Sequence, residues 1–155
     1  MKIALGTDHA GYSLKECIKA YLIELGHEAV DYGCYSEESV HYPTYVQYAA
    51  KTVALGINDA GVVFGGSGNG ETIAANKVKG VRCALCWTEE TGRLAKEHNN
   101  ANVISMGGRV VSEEDAKKAV KAWLESKFQG GRHEIRISML EEDLAPPPGF
   151  DPLSV

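Results

Sequence analysis

Short β-branched runs alternate with longer stretches of helical periodicity along almost the whole chain. KIALGTD (2–8) is an apolar run ending in glycine and two polar groups, the pattern of a buried strand with a polar exit. Over 11–25 the apolar residues Leu14, Ile18, Tyr21, Leu22 and Leu25 recur at three and four, and Gly26 closes the segment as a residue just past a helix C-terminus does. The same alternation continues with a strand at 28–33, a helix at 42–55 entered through Pro43 and followed by Gly56, and a strand at 60–66. It then predicts a short helix at 72–78, a strand at 81–87, a helix at 88–98, a strand at 102–108 and a long helix at 112–128. A further helix is expected at 132–144, whereas APPPGFDPLSV (145–155) cannot form one, because successive prolines remove donors and fix φ. Strands separated by helices, with no hairpin signal between them, predict an α/β fold: a five-stranded parallel sheet with helices on both faces. We see no internal repeat and no interdomain linker, so one domain is expected over 1–144, with a Pro-rich tail at 145–155.

Composition narrows the class. The chain has 155 residues, 44% hydrophobic and 24% charged, close to one ordinary globular domain. A domain of this size hides about 68–70% of its unfolded surface and needs no disulfide staples. Four cysteines, no N-x-[ST] sequon and no signal-peptide pattern at the start lead us to expect a reducing cytoplasm. No apolar run approaches the roughly 18 to 20 residues that span a bilayer, so no membrane is expected. The net charge of −5 argues against nucleic acid and requires any anion site to be built locally.

The most informative string is GGSGNGET (65–72), which follows a strand and opens a helix, so its backbone N–H groups can cradle an oxyanion or phosphate at a positive helix end. It matches the spacing of a P-loop, except that Glu71 stands where the phosphate-binding lysine belongs. A carboxylate there repels a triphosphate, so nucleotide triphosphate chemistry is rejected. Glu71 also occupies the third position of a dinucleotide fingerprint, where Gly or Ala is needed for close helix packing. A carboxylate beside backbone donors suits a general base that removes a proton from carbon next to a carbonyl, with the N–H groups holding the enediolate oxygen. An isolated glutamate in a helix's first turn is ordinarily just a solvated acid that suits the macrodipole, and it is the glycine loop that shifts the balance. Ser67 reads equally as a hydroxyl donor to that oxygen and as a turn residue.

In a parallel sheet the ligand lies beyond the carboxyl ends of the strands, and other polar residues collect there. Asp8 and His9 follow the first strand, either as functional groups or as an N-cap beside a surface histidine. His98 and Asn99 close a helix just before the last strand, where they could equally serve the helix end. Arg109 ends the last strand, and Arg132 and Arg136 lie one turn apart on the final helix; each singly suggests a surface ion pair, but together they suit a phosphate. Cys83 and Cys86 form a C-x-x-C inside a strand, where core packing is the better reading, and His27, His41 and His133 have no metal-ligand spacing. Trp87 and Trp123 are expected in the core or at an interface.

These motifs, GTDHAGY (6–12), GGSGNGE (65–71), IAANKVKGVRCAL (73–85), EHNNANV (97–103), GGR (107–109) and GRHEIR (131–136), resemble in order and number the type B ribose-5-phosphate isomerase family, whose wider group includes galactose-6-phosphate and allose-6-phosphate isomerases. The resemblance reaches to about residue 144. It implies a Rossmann-like three-layer sandwich and a metal-free, cofactor-free aldose–ketose isomerisation of ribose 5-phosphate and ribulose 5-phosphate through a cis-enediolate. It also implies a homodimer or dimer of dimers with shared active sites. One branch of the family uses a cysteine as base where this chain has Gly65; this chain resembles the other branch, in which the glutamate matching Glu71 moves the proton. The same carry-over gives Ser67, Gly66, Gly68, Asn69 and Gly70 the anion hole, and His98 the opening of the furanose ring. Asp8 would orient hydroxyls and aid proton traffic, Asn99 would contact substrate, and His9, Arg109, Arg132 and Arg136 would hold the phosphate. The alternatives are a six-carbon aldose phosphate as substrate, a sugar-phosphate or nucleotide sensor without turnover, and a dinucleotide-binding module.

Overall fold

In the computed structural model, which describes residues 1–142, the five strands are β1 (Lys2–Thr7), β2 (Glu28–Asp31), β3 (Ala60–Gly65), β4 (Cys83–Leu85) and β5 (Val103–Gly107). Every pairing is parallel, in the order β2-β1-β3-β5-β4. The helices are α1 (Tyr12–Glu24), α2 (Tyr42–Ala54), α3 (Asn69–Asn76), α4 (Glu89–Asn99), α5 (Glu113–Glu125) and α6 (Arg132–Ser138). The predicted tail at 145–155 and the last residues of the predicted 132–144 helix lie outside the described residues.

Successive strand residues face opposite layers, which is why each strand reads as a continuous apolar run. Ile3, Leu5, Phe64 and Ile104 pack under α1, α4 and α5, against Leu14, Ile18, Ala95, Val120 and Trp123. Ala4, Val63 and Val103 pack under α2 and α3, against Val46, Ala50, Ala74 and Ala75. Both faces are therefore buried, the condition for an all-parallel sheet, and the three-layer Rossmann-like arrangement follows.

Four local expectations change. Helix α3 starts at Asn69, not at 72, because Gly68 adopts φ +81 and completes the turn in a single left-handed residue, which places Glu71 in the first helical turn. Strand β4 is three residues long instead of seven: it lies at the sheet edge, where the Asn76 side chain takes both backbone groups of Cys83 (N–H···Oδ1 and Nδ2–H···O, each 2.8 Å). Helix α6 ends at Ser138 and gives way to one 3-10 turn, Met139–Glu141. Trp87 is 51% exposed and not in the core, whereas Trp123 is buried with its indole N–H donated to the Ala101 carbonyl at 2.9 Å.

Candidate active site

The strand order reverses between β1 and β3, since the chain runs outward from β1 to β2 and returns to β3 on the other side. That switch point opens a crevice beyond the strand ends. There a cleft of about 470 Å³ is lined by Asp8, His9, Gly66, Ser67, Gly70, Glu71 and Arg109, all expected, together with Ala10, Tyr42 and Val110.

Glu71 is the centre of this cleft. Only 4% of it is exposed. A β-carbon on Gly65 would lie 2.0 Å from its Oε1 and 2.1 Å from its Cδ, so the carboxylate fills the space a side chain at 65 would take. Burial pushes its pKa up, the backbone N–H groups of Glu71 and Gly68 oppose that, and the negative charge of Asp8 adds to it. A carboxyl so placed is closer than a solvated one to the proton affinity a general base needs.

The glycine loop is held by its carbonyls, which leaves donors over. The Gly68 carbonyl accepts from Thr72 N–H (2.9 Å), Thr72 Oγ1 (2.7 Å) and Ser105 Oγ (2.9 Å). The end of β5 is tied to the same loop, with Gly108 N–H donating to Gly65 O (2.8 Å) and Arg109 N–H to Gly66 O (3.0 Å). Among the described residues the N–H groups of Ser67 and Gly70 meet no backbone acceptor. Ser67 Oγ accepts from the backbone and side-chain N–H of Asn69 (both 3.3 Å), a turn role that leaves its own proton to give.

Asp8 does not cap α1, whose N-cap is Gly11 with no side-chain cap, but folds the turn before that helix and still faces the cleft. Its Oδ1 accepts from Ala10 N–H (2.9 Å) and Gly11 N–H (3.2 Å), which leaves Oδ2 for a ligand. His9 Nδ1 accepts from the Val40 N–H at 3.3 Å, so the neutral ring carries its proton on Nε2. The segment bearing Val40 leaves β2 beside Lys15, a lysine with no exposed surface whose ammonium donates to Asp31 Oδ2 (2.7 Å) and to the Cys34 carbonyl (2.9 Å). Desolvation alone would raise the Asp31 pKa, but hydrogen bonds from Lys15, Lys19 and the Gly33 N–H hold it below the usual carboxylate range.

His98 and Asn99 lie elsewhere. With His133, Arg136, Ile137 and Leu140 they line a hollow of about 250 Å³ that shares no residue with the Glu71 cleft. Arg132 joins this second group: its Nε–H reaches His133 Nε2 at 3.5 Å. The His98 and His133 rings stack with centroids 4.3 Å apart and 7° between planes. Burial pushes the His133 pKa down, and the positive charges of His98, Arg132 and Arg136 push it further. The candidate residues thus form two separate groups within one chain.

Sequence reasoning missed Tyr42, whose ring lies where a β-carbon on Gly70 would be 2.8 Å from its hydroxyl oxygen. Nothing distinguishes it in the sequence from an ordinary first residue of a Pro-initiated helix. His133, which lacks metal-ligand spacing, also carries no signal in the sequence that would place it beside His98. Cys83 and Cys86 do pack into opposite faces of the sheet, and burial raises both thiol pKa values, that of Cys86 to about 12. Among the described residues no three His, Cys, Asp or Glu side chains converge as metal ligands.

Residues 3–140 match the family described as Ribose/Galactose Isomerase. Ribose-5-phosphate isomerase B of Mycobacterium leprae (strain TN) is 45% identical over 144 residues, covering 92% of this chain and 89% of that protein. The Escherichia coli (strain K12) protein of the same name is 43% identical over 139 residues, 90% and 93% of the respective chains. Among solved structures, Clostridium thermocellum ribose-5-phosphate isomerase B superposes with a TM-score of 0.88 at 44% identity, covering 89% of this chain and 93% of that one. The Mycoplasma genitalium ribose-5-phosphate isomerase B solved with bound ribulose-5-phosphate superposes at 0.85 with 37% identity, covering 88% and 91%.

Proposed function

The chain belongs to the Ribose/Galactose Isomerase family, and we propose that it interconverts ribose 5-phosphate and ribulose 5-phosphate with Glu71 as the base. The observation that carries this reading is the Glu71 carboxylate, buried over Gly65 beside a loop with unspent N–H donors. In the forward direction Glu71 takes the proton from C2 of the open-chain aldose. The developing oxyanion is held by the uncommitted N–H groups of the 66–70 loop, those of Ser67 and Gly70 among them, and by the Ser67 hydroxyl, and the proton is returned to C1. Asp8, through Oδ2, orients the sugar hydroxyls.

The phosphate lies at the far end of the substrate. His9, with its proton on Nε2, and Arg109 face it from the Glu71 cleft; Arg132 and Arg136 contribute from the other half-site, with Asn99 contacting substrate and His98 opening the furanose. Because the two half-sites share no cleft within one chain, the reading includes a homodimer, or a dimer of dimers, in which each site takes one half from each subunit. Self-complementary pairing about a two-fold axis does this twice over. It also includes one isomerase domain over 1–144 and a cytoplasmic location, with which the four free cysteines agree. No helix among the described residues is long and apolar enough to cross a membrane.

The test is conversion of ribose 5-phosphate in chelator-treated buffer, beside allose 6-phosphate and galactose 6-phosphate, with Glu71→Gln as the blank. Pentose turnover that falls at least about 10²-fold in the variant is the expected result. A hexose preference keeps the mechanism and changes the substrate. Binding of ribose 5-phosphate without turnover of any sugar sinks the enzyme reading in favour of a sensor.

A further inference from the structure

His133 has no part in the chemistry above, yet it is the one buried histidine of the chain, 8% exposed. Its ring lies parallel to that of His98 at a 4.3 Å centroid separation. Two imidazolium charges that close repel strongly, so the pair accepts one proton beyond neutrality far more readily than two. Arg132 decides which ring stays neutral: its Nε–H points at His133 Nε2, which must then be an unprotonated acceptor, with the ring proton on Nδ1. The charged groups facing the pair from α6 are Arg132 and Arg136, both on His133. On α4, Glu90 feels the positive charge of His98 only as a long-range effect, its carboxylate being held by Arg93 at 2.7 Å. The arginines and the Arg132 Nε–H therefore disfavour a proton on His133.

We propose that His133 is a positioning residue for His98, fixing that ring's plane by stacking and leaving the pair's one extra proton to His98 for delivery to the furanose ring oxygen. This rests on the isomerase reading. In ribose 5-phosphate only two carbons separate the ring oxygen from the phosphate ester oxygen. A group beside the phosphate-holding arginines is thus within reach of that oxygen, which moves away from the C1–C2 bond where Glu71 acts only once the ring has opened. In the step, the C1–O4 bond breaks, the His98 proton goes to O4, and the C1 hydroxyl proton leaves to Asp8 as the aldehyde forms. The arriving phosphate dianion offsets the charge of Arg132 and Arg136, so substrate binding itself makes the proton on His98 easier to hold.

The experiment separates ring opening from enediolate chemistry. Ribulose 5-phosphate cannot close to a furanose, because its 5-hydroxyl is esterified, so deuterium uptake at its C1 in D2O reads Glu71 chemistry alone. In the full-length protein, His133→Ala is expected to lower kcat from ribose 5-phosphate by about tenfold or more through lost orientation, with KM changed far less and C1 exchange retained. His133→Phe, which restores a flat ring for stacking, is expected to recover most of that kcat. Inorganic phosphate, used as a probe, is expected to raise the His98 titration midpoint seen by NMR in the wild type and not in Arg136→Ala. Parallel loss of turnover and exchange in both variants, or loss of neither, overturns the proposal, as does a Phe variant no better than Ala. Absence of both turnover and exchange in the wild type instead overturns the isomerase reading on which it stands.

Discussion

Gly65→Ala adds one methyl group and should inactivate the protein by displacing a different residue. The new β-carbon would lie 2.0 Å from Glu71 Oε1, 2.1 Å from Cδ and 2.5 Å from Oε2, where atoms of real structures keep more than 3.0 Å. The backbone cannot yield, because Gly65 is hydrogen-bonded through its carbonyl to the Gly108 N–H at 2.8 Å and lies in register with Gly107 of β5. The carboxylate must therefore move, by about 1 Å or more, and a displacement of that size at a reacting group costs on the order of 10²-fold in rate. Because the displaced carboxylate leaves the dry floor of the cleft, the desolvation that raises its pKa is partly relieved, and the acidic limb of the kcat profile should move to lower pH. The assay is kcat and KM for ribose 5-phosphate across pH in Gly65→Ala, Glu71→Gln and the double variant. If the methyl acts through Glu71, the double variant is no slower than Glu71→Gln. Wild-type kcat in Gly65→Ala, or losses that multiply in the double variant, would falsify the placement of Glu71 over Gly65.

Three further outcomes are expected. Since burial raises the Glu71 pKa in the folded state, the carboxylate destabilises the fold progressively as pH rises from the ordinary carboxylate range through that raised value; Glu71→Gln should melt higher than wild type at about pH 8 and equal to it at about pH 4, and a melting gain independent of pH would show that ionisation is not the cause. If each site takes one half from each of two chains, co-refolding equal amounts of inactive Glu71→Gln and His98→Ala should recover about a quarter of wild-type activity, because half the pairs are mixed and each mixed pair has one intact site; no recovery despite measured subunit exchange refutes the shared site. Lys15→Ala leaves Asp31 half-buried with one of its two lysines gone and the Cys34 carbonyl without its donor, which should cost about 3 kcal/mol or more in urea unfolding, and a loss below about 1 kcal/mol would mean that Lys19 and water compensate.

The alternation of strand and helix, the parallel sheet and the chemical character of the 65–71 loop were legible in the sequence, because each depends on short-range pattern. Runs such as Val62 to Phe64 are buried on both faces whichever strands flank them, and the letter at 71 alone replaces a triphosphate-binding lysine with a carboxylate. Asp8, His9, Ser67 and Arg109 were legible for a related reason: strand ends in a parallel sheet share one edge, so residues after different strands converge without knowledge of strand order. Tertiary structure decided the rest, where the cause is contact between distant segments. The strand order brings β1 beside β3 and so opens the cleft between Asp8 and Glu71. The left-handed Gly68 starts α3 early and turns Glu71 inward, and the empty volume at Gly65, invisible as a glycine among glycines, receives its carboxylate. Lys15 resembles any helical lysine until Asp31 and the Cys34 carbonyl, 16 and 19 residues on, surround it. The separation of His98 and Arg136 from Glu71 is of the same kind. A sequence pattern reports which face of an element is buried, but which polar groups share a cavity depends on where the elements pack.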